Sequence, residues 1–411
     1  EVPAANRMYI DPSTPQFIEL PTGDYSLRIG WQNGPVSDPQ PLKVDGSEGA
    51  VIELSPPPTA MISLAAETVS EPGILVPARA TMLSEGGPSG PISLGPLGPT
   101  DILVSPGTHQ IAFLRGHEFE VDIHENIVVE NGQNHSILGK VQRVVNTEGW
   151  VAADFHLHSE MSADSSLPLE QRIREVAAEG LEYAVSTEHD FISTYTPIRD
   201  KLGLEPFLTV ADGIEMSHPL MTHVSSWPWP PNPEKSGNGA PNWSGLAPKD
   251  LFELLGHGNP DRIFQLNHPR GSSGYFTHIK YNPATGQAEK TASALGFDDD
   301  ASLTGFEYDA IEIYNGKRVE DFDEVFADWL SLIAQGFTPA PTGTSDSHGS
   351  GNYPGSARTY VWVGDTLDKP GAFSSSDIFE GILSSQVLVV GGAFVEIWLN
   401  DANGKSARVG Q

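Results

Sequence analysis

His156-Leu157-His158 sets two imidazoles two residues apart. On an extended segment residues i and i+2 point to the same side, so both rings can reach one ion while Leu157 packs the other way. Taken alone, such a pair is equally well two surface or loop histidines. Its surroundings argue otherwise. Nine of the 13 histidines lie from His156 onward, and most stand beside carboxylates or just beyond a strand-like run. Asp154 precedes the pair and Asp164 follows it. Glu188-His189-Asp190, Glu215 with His223, His268, and Asp346-Ser347-His348 continue the series, the last being a second i, i+2 pair. Imidazole and carboxylate ligands without sulfur suit Zn, Mn or Fe. There are more of them than one tetrahedral ion can use, so the pattern predicts two or three divalent ions sharing carboxylates. Such ions stand about 3.5–4 Å apart and can activate water for attack on phosphorus or a carbonyl.

The elements that must carry these residues read as follows. Residues 151–370 repeat one grammar, a short apolar run delivering polar residues. Val151-Ala152-Ala153 leads to Asp154, Tyr183–Ser186 to Glu188, Phe207–Val210 to Glu215, Arg262–Leu266 to Asn267 and His268, Ala310–Ile313 to Asn315, and Thr342–Ser345 to Asp346. Helical spacing recurs between them. Pro168 opens one helix that Gly180 closes, and Phe322–Ala334 forms another that Gly336 ends. Strand–loop–helix repeats predict an α/β layer or barrel with chemistry at the carboxyl ends of the strands. Residues 1–150 instead alternate in short runs between Pro and Gly, as a small β-sandwich does, with Gly86–Pro99 as a long loop or hairpin tip. Residues 371–411 read as a helix over Asp377–Leu383 and strands over Val387–Val390 and Phe394–Leu399, packing on either neighbour.

Composition narrows the field. Lys+Arg 23 against Asp+Glu 54 gives a net charge of -31, which disfavours general nucleic-acid binding and anionic lipid. A local metal cluster can still attract an anion into one cleft. The chain has no cysteine, which excludes disulfides, thiolate ligands and a cysteine nucleophile. No Gly-x-Ser-x-Gly elbow supports a serine hydrolase. No apolar run approaches the ~20 residues of a membrane span. The acidity and low lysine content point to a periplasmic, secreted or cell-surface protein.

The ordered motifs resemble the polymerase-and-histidinol-phosphatase (PHP) superfamily, which is similar to amidohydrolases. They are Asp154-Phe155-His156-Leu157-His158-Ser159, Thr187-Glu188-His189-Asp190, Gly213-Ile214-Glu215, Asn267-His268-Pro269-Arg270 and Ser345-Asp346-Ser347-His348-Gly349. The resemblance covers roughly residues 150–365. It implies a distorted (β/α)7 barrel behind the amino-terminal all-β sandwich-like domain, and a trinuclear site. His156, His158, Glu215 and Asp346 would hold the first ion; Glu215 would bridge to a second, with His223 and His268; Asp164, His189 and His348 would hold the third. Glu188 stands where the family's usual residue is Asp, and it reads as a supporting group, as do Asp154 and Asn267. The spacing from His158 to Asp164 is one residue longer than the common form, which leaves Asp190 competing with Asp164. The implied activity is metal-dependent hydrolysis of a small phosphorylated or phosphodiester substrate by hydroxide activated between the ions. Arg270 is the expected phosphate clamp, with pairing to a carboxylate as the competing reading. His218 and His257 are candidates for an acid or a substrate contact, against a reading as ordinary loop histidines. Trp227, Trp229 and Trp243 either line a cleft or pack their loop. Two alternatives stand beside this: an amidohydrolase-type amide or lactone hydrolase, and a surface binding protein with structural metals.

Overall fold

The structure is a computed structural model that describes residues 19–409 apart from 33, 47–51, 219–221, 257–258, 260, 304–306, 350 and 402. Before Trp150 the alternating runs form strands, among them Ala60–Thr68, Ala78–Met82, Gly107–Leu114, Asp122–Val129 and Asn134–Arg143. They make a four-stranded sheet around 78–82 and 107–114, and a five-stranded sheet around 60–68 and 134–143. Inward side chains of both, including Ile62, Leu64, Ala80, Phe113 and Val141, merge into one apolar cluster. The sheets approach closely at Gly139, where a Cβ would collide with the Phe113 ring. Inside the expected loop Gly86–Pro99 lies one short strand, Ile92–Leu94.

Beyond Trp150 the strands form two five-stranded sheets. One runs in the order 209–212, 183–186, 150–154, 358–362, 387–390; the other 214–218, 222–227, 263–266, 310–315, 340–344. Trp150–Asp154, Tyr183–Ser186 and Ile263–Leu266 are buried at every position. That is why they read as continuous apolar runs rather than alternations. The regular grammar breaks at Ile214–His218 and Thr222–Trp227, an antiparallel hairpin, and at Arg358–Trp362, antiparallel to both its neighbours; pairs such as 263–266 with 310–315 and 310–315 with 340–344 are parallel.

Among the described residues neither sheet closes into a barrel. The architecture is mixed α/β, with the two sheets tied by single bridges, Leu157 to Ser347 and His189 to Glu215. The Thr359 hydroxyl adds a further tie, accepting from Gly343 N at 3.0 Å and donating to its carbonyl at 2.9 Å. The ladder stays open between the edge strands, 209–212 beside 214–218 and 387–390 beside 340–344. His268 and Asp346 adopt φ of 24° and 49°, a left-handed backbone that cannot continue a strand.

Helices cover these sheets. Leu169–Ala178 lays Ile173, Val176 and Ala177 over Leu157 and Ala184, each full burial of a large aliphatic side chain being worth about 1.5–3 kcal/mol. Gly180, at φ 69°, ends that stretch. At the carboxyl end, helix Ser375–Leu383 starts at a Ser374/Asp377 capping box. It sets Ile378 and Ile382 in one apolar cluster with Val361. Val387–Val390 extends the first sheet by pairing with Arg358–Trp362. The apolar run expected as a strand over 394–399 mostly is not one; Phe394 packs edge-on to Trp150 and Tyr360, and only Leu399–Asn400 pairs. No helix among the described residues is long and apolar enough to cross a membrane.

Candidate metal centre

The two sheets meet at one carboxylate. Glu215, on strand Ile214–His218, is fully buried and has five imidazoles around it. His189 Nδ1 lies at 2.9 Å, His156 Nε2 at 3.0 Å, His223 Nδ1 at 3.3 Å, His158 Nε2 at 3.4 Å and His268 Nε2 at 3.5 Å. Burial opposes ionisation of Glu215, but His156, His223 and His189 outweigh it and hold the carboxyl well below its usual range. Asp346 forms a second focus, its Oδ1 3.5 Å from His156 Nε2, 3.4 Å from His158 Nε2 and 3.2 Å from His348 Nδ1. Asp164 forms a third, with Oδ2 3.3 Å from His189 Nε2 and 3.0 Å from His348 Nε2. The nine residues singled out as ligands in the sequence therefore converge. Four sets of three have ligand atoms close enough to share an ion: His158, His189 and His348; His156, Glu215 and His268; His156, His158 and Asp346; His189, Glu215 and His223.

Sequence and neighbours dictate how the rings face. Leu157 is fixed by Thr187, whose hydroxyl accepts its N–H at 2.8 Å, and it packs against the helix above. His156 and His158 then turn to the opposite side, as period-two alternation requires. His156 Nδ1 lies 2.9 Å from Glu312 Oε1. His158 Nδ1 lies 3.0 Å from Ser162 Oγ, whose own proton goes to Glu188 Oε2 at 2.6 Å. Each Nδ1 thus serves as the donor, and each Nε2 turns its lone pair into the centre; such supporting acceptors fix the ring and strengthen it as a ligand.

The supporting carboxylates differ in their work. Asp154 organises backbone, accepting N–H groups from Gly355 at 2.8 Å and from His156 and Ser345 at 3.2 Å. Glu188 accepts from Ser159 N at 2.9 Å and from the Ser159, Ser162 and Ser193 hydroxyls. Asn267 Nδ2 donates to Glu215 Oε1 at 2.8 Å. Glu312 was not singled out in the sequence, yet it holds His156 and accepts from His268 N, Asn315 and Thr344. Its signal was a lone acid inside the buried run Ala310–Asn315.

The donor set fits divalent cations. His156 Nε2, His158 Nε2, Glu215 Oε2, His223 Nδ1 and His348 Nε2 are buried without a well-formed hydrogen bond. Buried polar atoms are otherwise nearly always satisfied, so a cluster of such atoms aimed at one another is a set of ligands. Burial, against the pull of Asp346 and Glu215, pushes His158 down to about 3, keeping it neutral and available to a metal.

Other expected residues stand apart. Arg270 is the main correction: its guanidinium forks onto Asp328 of helix Phe322–Ala334, Nε to Oδ2 at 2.6 Å, and also donates to the Tyr281 carbonyl at 2.8 Å. The carboxylate pairing is thus the arrangement present, and the fork expected for phosphate is taken. Asp190, at φ 51°, accepts from Trp243 Nε1 at 2.7 Å and from Ser217 N at 3.2 Å; Asp164 is the acid lying against His189 and His348. Trp227 ends its strand and is buried in the core, stacked on Phe155, while Trp229 lies under Arg262. His218 ends its strand, with its side chain outside the description, and His257 lies outside the described residues.

No family model matches this chain, and no curated protein matches it. Among solved structures it is similar to a two-domain protein from Bacteroides vulgatus containing a predicted PHP-like metal-dependent phosphoesterase. The two are 18% identical over 60% of this chain and 67% of the other, with a TM-score of 0.37. A Bacillus anthracis TIE protein gives 21% identity over 33% and 27%, with a TM-score of 0.18. A dihydroorotase gives 10% over 85% and 93%, with a TM-score of 0.21. These likenesses are too distant to carry an argument about chemistry. The ordered motifs that resemble the PHP superfamily lie together at this one cluster. Its buried His, Asp and Glu groups are those of a metal-dependent hydrolase-like site.

Proposed function

We propose that this protein hydrolyses phosphate esters at a two- or three-ion centre. The observation that carries the proposal is Glu215, a single buried carboxylate facing five imidazoles delivered by two sheets in the order of the PHP motifs. Divalent ions bound there supply Lewis acidity and a water activated near neutral pH. Glu215 would be shared between ions; His156, His158 and Asp346 would hold one, His223 and His268 the next, and Asp164, His189 and His348 the outer one. Glu312, the Ser162–Glu188 pair and Asn267 keep ring and carboxylate orientations fixed. The two sheets, tied at the Leu157–Ser347 and His189–Glu215 bridges, support a reading as a split, distorted barrel. Residues 1–150 read as an accessory domain, 151–370 as the hydrolase unit and 371–411 as its edge. The acidic composition supports an extracytoplasmic setting.

The test is elemental analysis of the reconstituted protein, followed by assay on aryl phosphate monoesters, aryl phosphate diesters and anilides, beside His158→Ala. The expected result is about two to three equivalents of metal and phosphate-ester turnover that the substitution abolishes. Less than about one equivalent, or turnover indifferent to the substitution, would overturn the proposal. Turnover of anilides alone would move it to amide hydrolysis.

A further inference from the structure

With Arg270 committed to Asp328, the cations that face the centre come from elsewhere. Strand Ala310–Asn315 runs out into Gly316-Lys317-Arg318. Asn315 anchors this loop to the site, its Nδ2 donating to Glu312 Oε2 at 3.0 Å and to Asp346 Oδ2 at 3.2 Å, while Gly316 N donates to the Thr344 carbonyl at 2.8 Å. Lys317 Nζ lies 3.3 Å from His348 Nδ1. Arg318 lines a small cavity with His268, Glu312, Asn315, Asp321 and Phe322. Its guanidinium lies against the turn that carries His268, and only a glycine at 271 leaves room for it. A Cβ there would stand 2.8 Å from the Arg318 Cζ.

Arg318 makes no side-chain hydrogen bond or ion pair among the described residues, and its Nε is buried without a partner. In a chain with Asp+Glu 54 against Lys+Arg 23, carboxylate partners are abundant. An arginine that bonds to none of them, even with Glu312 and Asp321 lining the same cavity, is placed beside a metal-ligand cluster for an acceptor that arrives with the ligand. Lys317 borders the His348 side of the centre and Arg318 the His268 side, so the two flank it from one loop.

We infer that Lys317 and Arg318 form the anion-recognising edge of this site and take the terminal dianionic phosphate of a phosphomonoester. This rests on the proposed phosphate-ester chemistry. A diester carries one charge, which the ions themselves meet; a terminal phosphate keeps a second charge and further oxygens, which suit a guanidinium fork and an ammonium.

The experiment uses the full metal-loaded chain and inorganic phosphate as probe. Calorimetry is run on the wild type, Arg318→Met, Arg318→Lys, Lys317→Met and Gly271→Ala, with metal content measured on each. Arg318→Met weakens phosphate binding about tenfold or more, as loss of a charge-assisted contact does, at unchanged metal content. Arg318→Lys restores part of the binding, and Gly271→Ala weakens it by displacing the guanidinium. In turnover, kcat/KM for an aryl phosphate monoester falls in step, while that for its methyl diester changes by less than about threefold. Unchanged phosphate binding in Arg318→Met, equal losses for both esters, or metal loss in Arg318→Met would overturn the inference. Arg318-dependent phosphate binding without turnover of any phosphate ester would leave the anion site standing and remove the reaction instead.

Discussion

At the seam between the amino-terminal sheets and the strands after Trp150, buried arginines find acceptors. Arg115 donates to the Ala177 carbonyl at 3.0 Å, Arg358 to those of Gly355 at 2.9 Å and Glu179 at 3.1 Å, and Arg79 pairs with Glu179 at 2.8 Å. In the metal centre the buried groups are imidazoles and carboxylates, and their facing atoms lack well-formed hydrogen bonds. Both regions place ionisable side chains out of water, where an uncompensated charge is costly. The seam meets most of its buried charge within the chain, leaving Arg79 Nε, His117 Nδ1 and Glu118 Oε1 as scattered atoms without a partner. In the centre such atoms are gathered toward one another in sets that could hold metal ions, and that difference separates a structural charge network from a candidate functional one.

The comparison breaks most visibly at Glu215. Glu215→Ala is expected to release at least one ion and lower kcat/KM by about 10³-fold or more, the several kcal/mol that metal ions supply. Elemental analysis and steady-state kinetics read both effects, and full metal retention would contradict the bridging role. Next comes Arg270→Met, which tests whether this arginine belongs to structure rather than to the site. Burial pushes Asp328 up to about 6 even with Arg270 beside it. Removing its partner is expected to cost about 3–5 kcal/mol of unfolding free energy, read by urea titration, with phosphate binding unaltered. Glu312→Gln is expected to weaken metal binding about 10–100-fold while leaving the fold in place, as competition with a chelator would show.

The smallest effect lies in the seam. His117 is pushed down to about 4 by burial and by Arg358 and Arg79. Between its unfolded value near 6.5 and about 4, the unfolded chain takes up a proton that the folded one refuses, so stability falls as pH falls through that window. Above 6.5 both states are neutral and the group contributes nothing. His117→Gln should remove about 2 kcal/mol of this acid loss, measured as the difference between the two stability–pH curves. A constant offset at every pH would assign His117 a packing role instead.

Local chemistry made the ligands legible, and distance in sequence hid what surrounds them. His156, His158, Asp346 and His348 could be read because strand alternation is a local property. Glu312 was passed over because its partner His156 lies far upstream and its strand is buried on both faces, which erases the alternation that marks a polar site. For Arg270 the same distance leaves phosphate and a carboxylate as rival partners in the sequence, because Asp328 reaches it from a helix that follows much later. The strands themselves were readable from apolar runs punctuated by Gly and Pro. The hairpin of Ile214–His218 with Thr222–Trp227 was not, since a buried apolar run looks alike in either direction.

One consequence concerns the order in which the molecule is made. The centre draws His156, His158 and His189 from the ends of one sheet, and Glu215, His223, His268, Asp346 and His348 from the other. In a nascent chain the ligand residues emerge one after another from His156 onward, and only a chain made and folded through His348 presents the whole set. Tight capture of metal is therefore tied to completion of the second sheet, so refolding followed by metal uptake times the last long-range contacts rather than the first collapse.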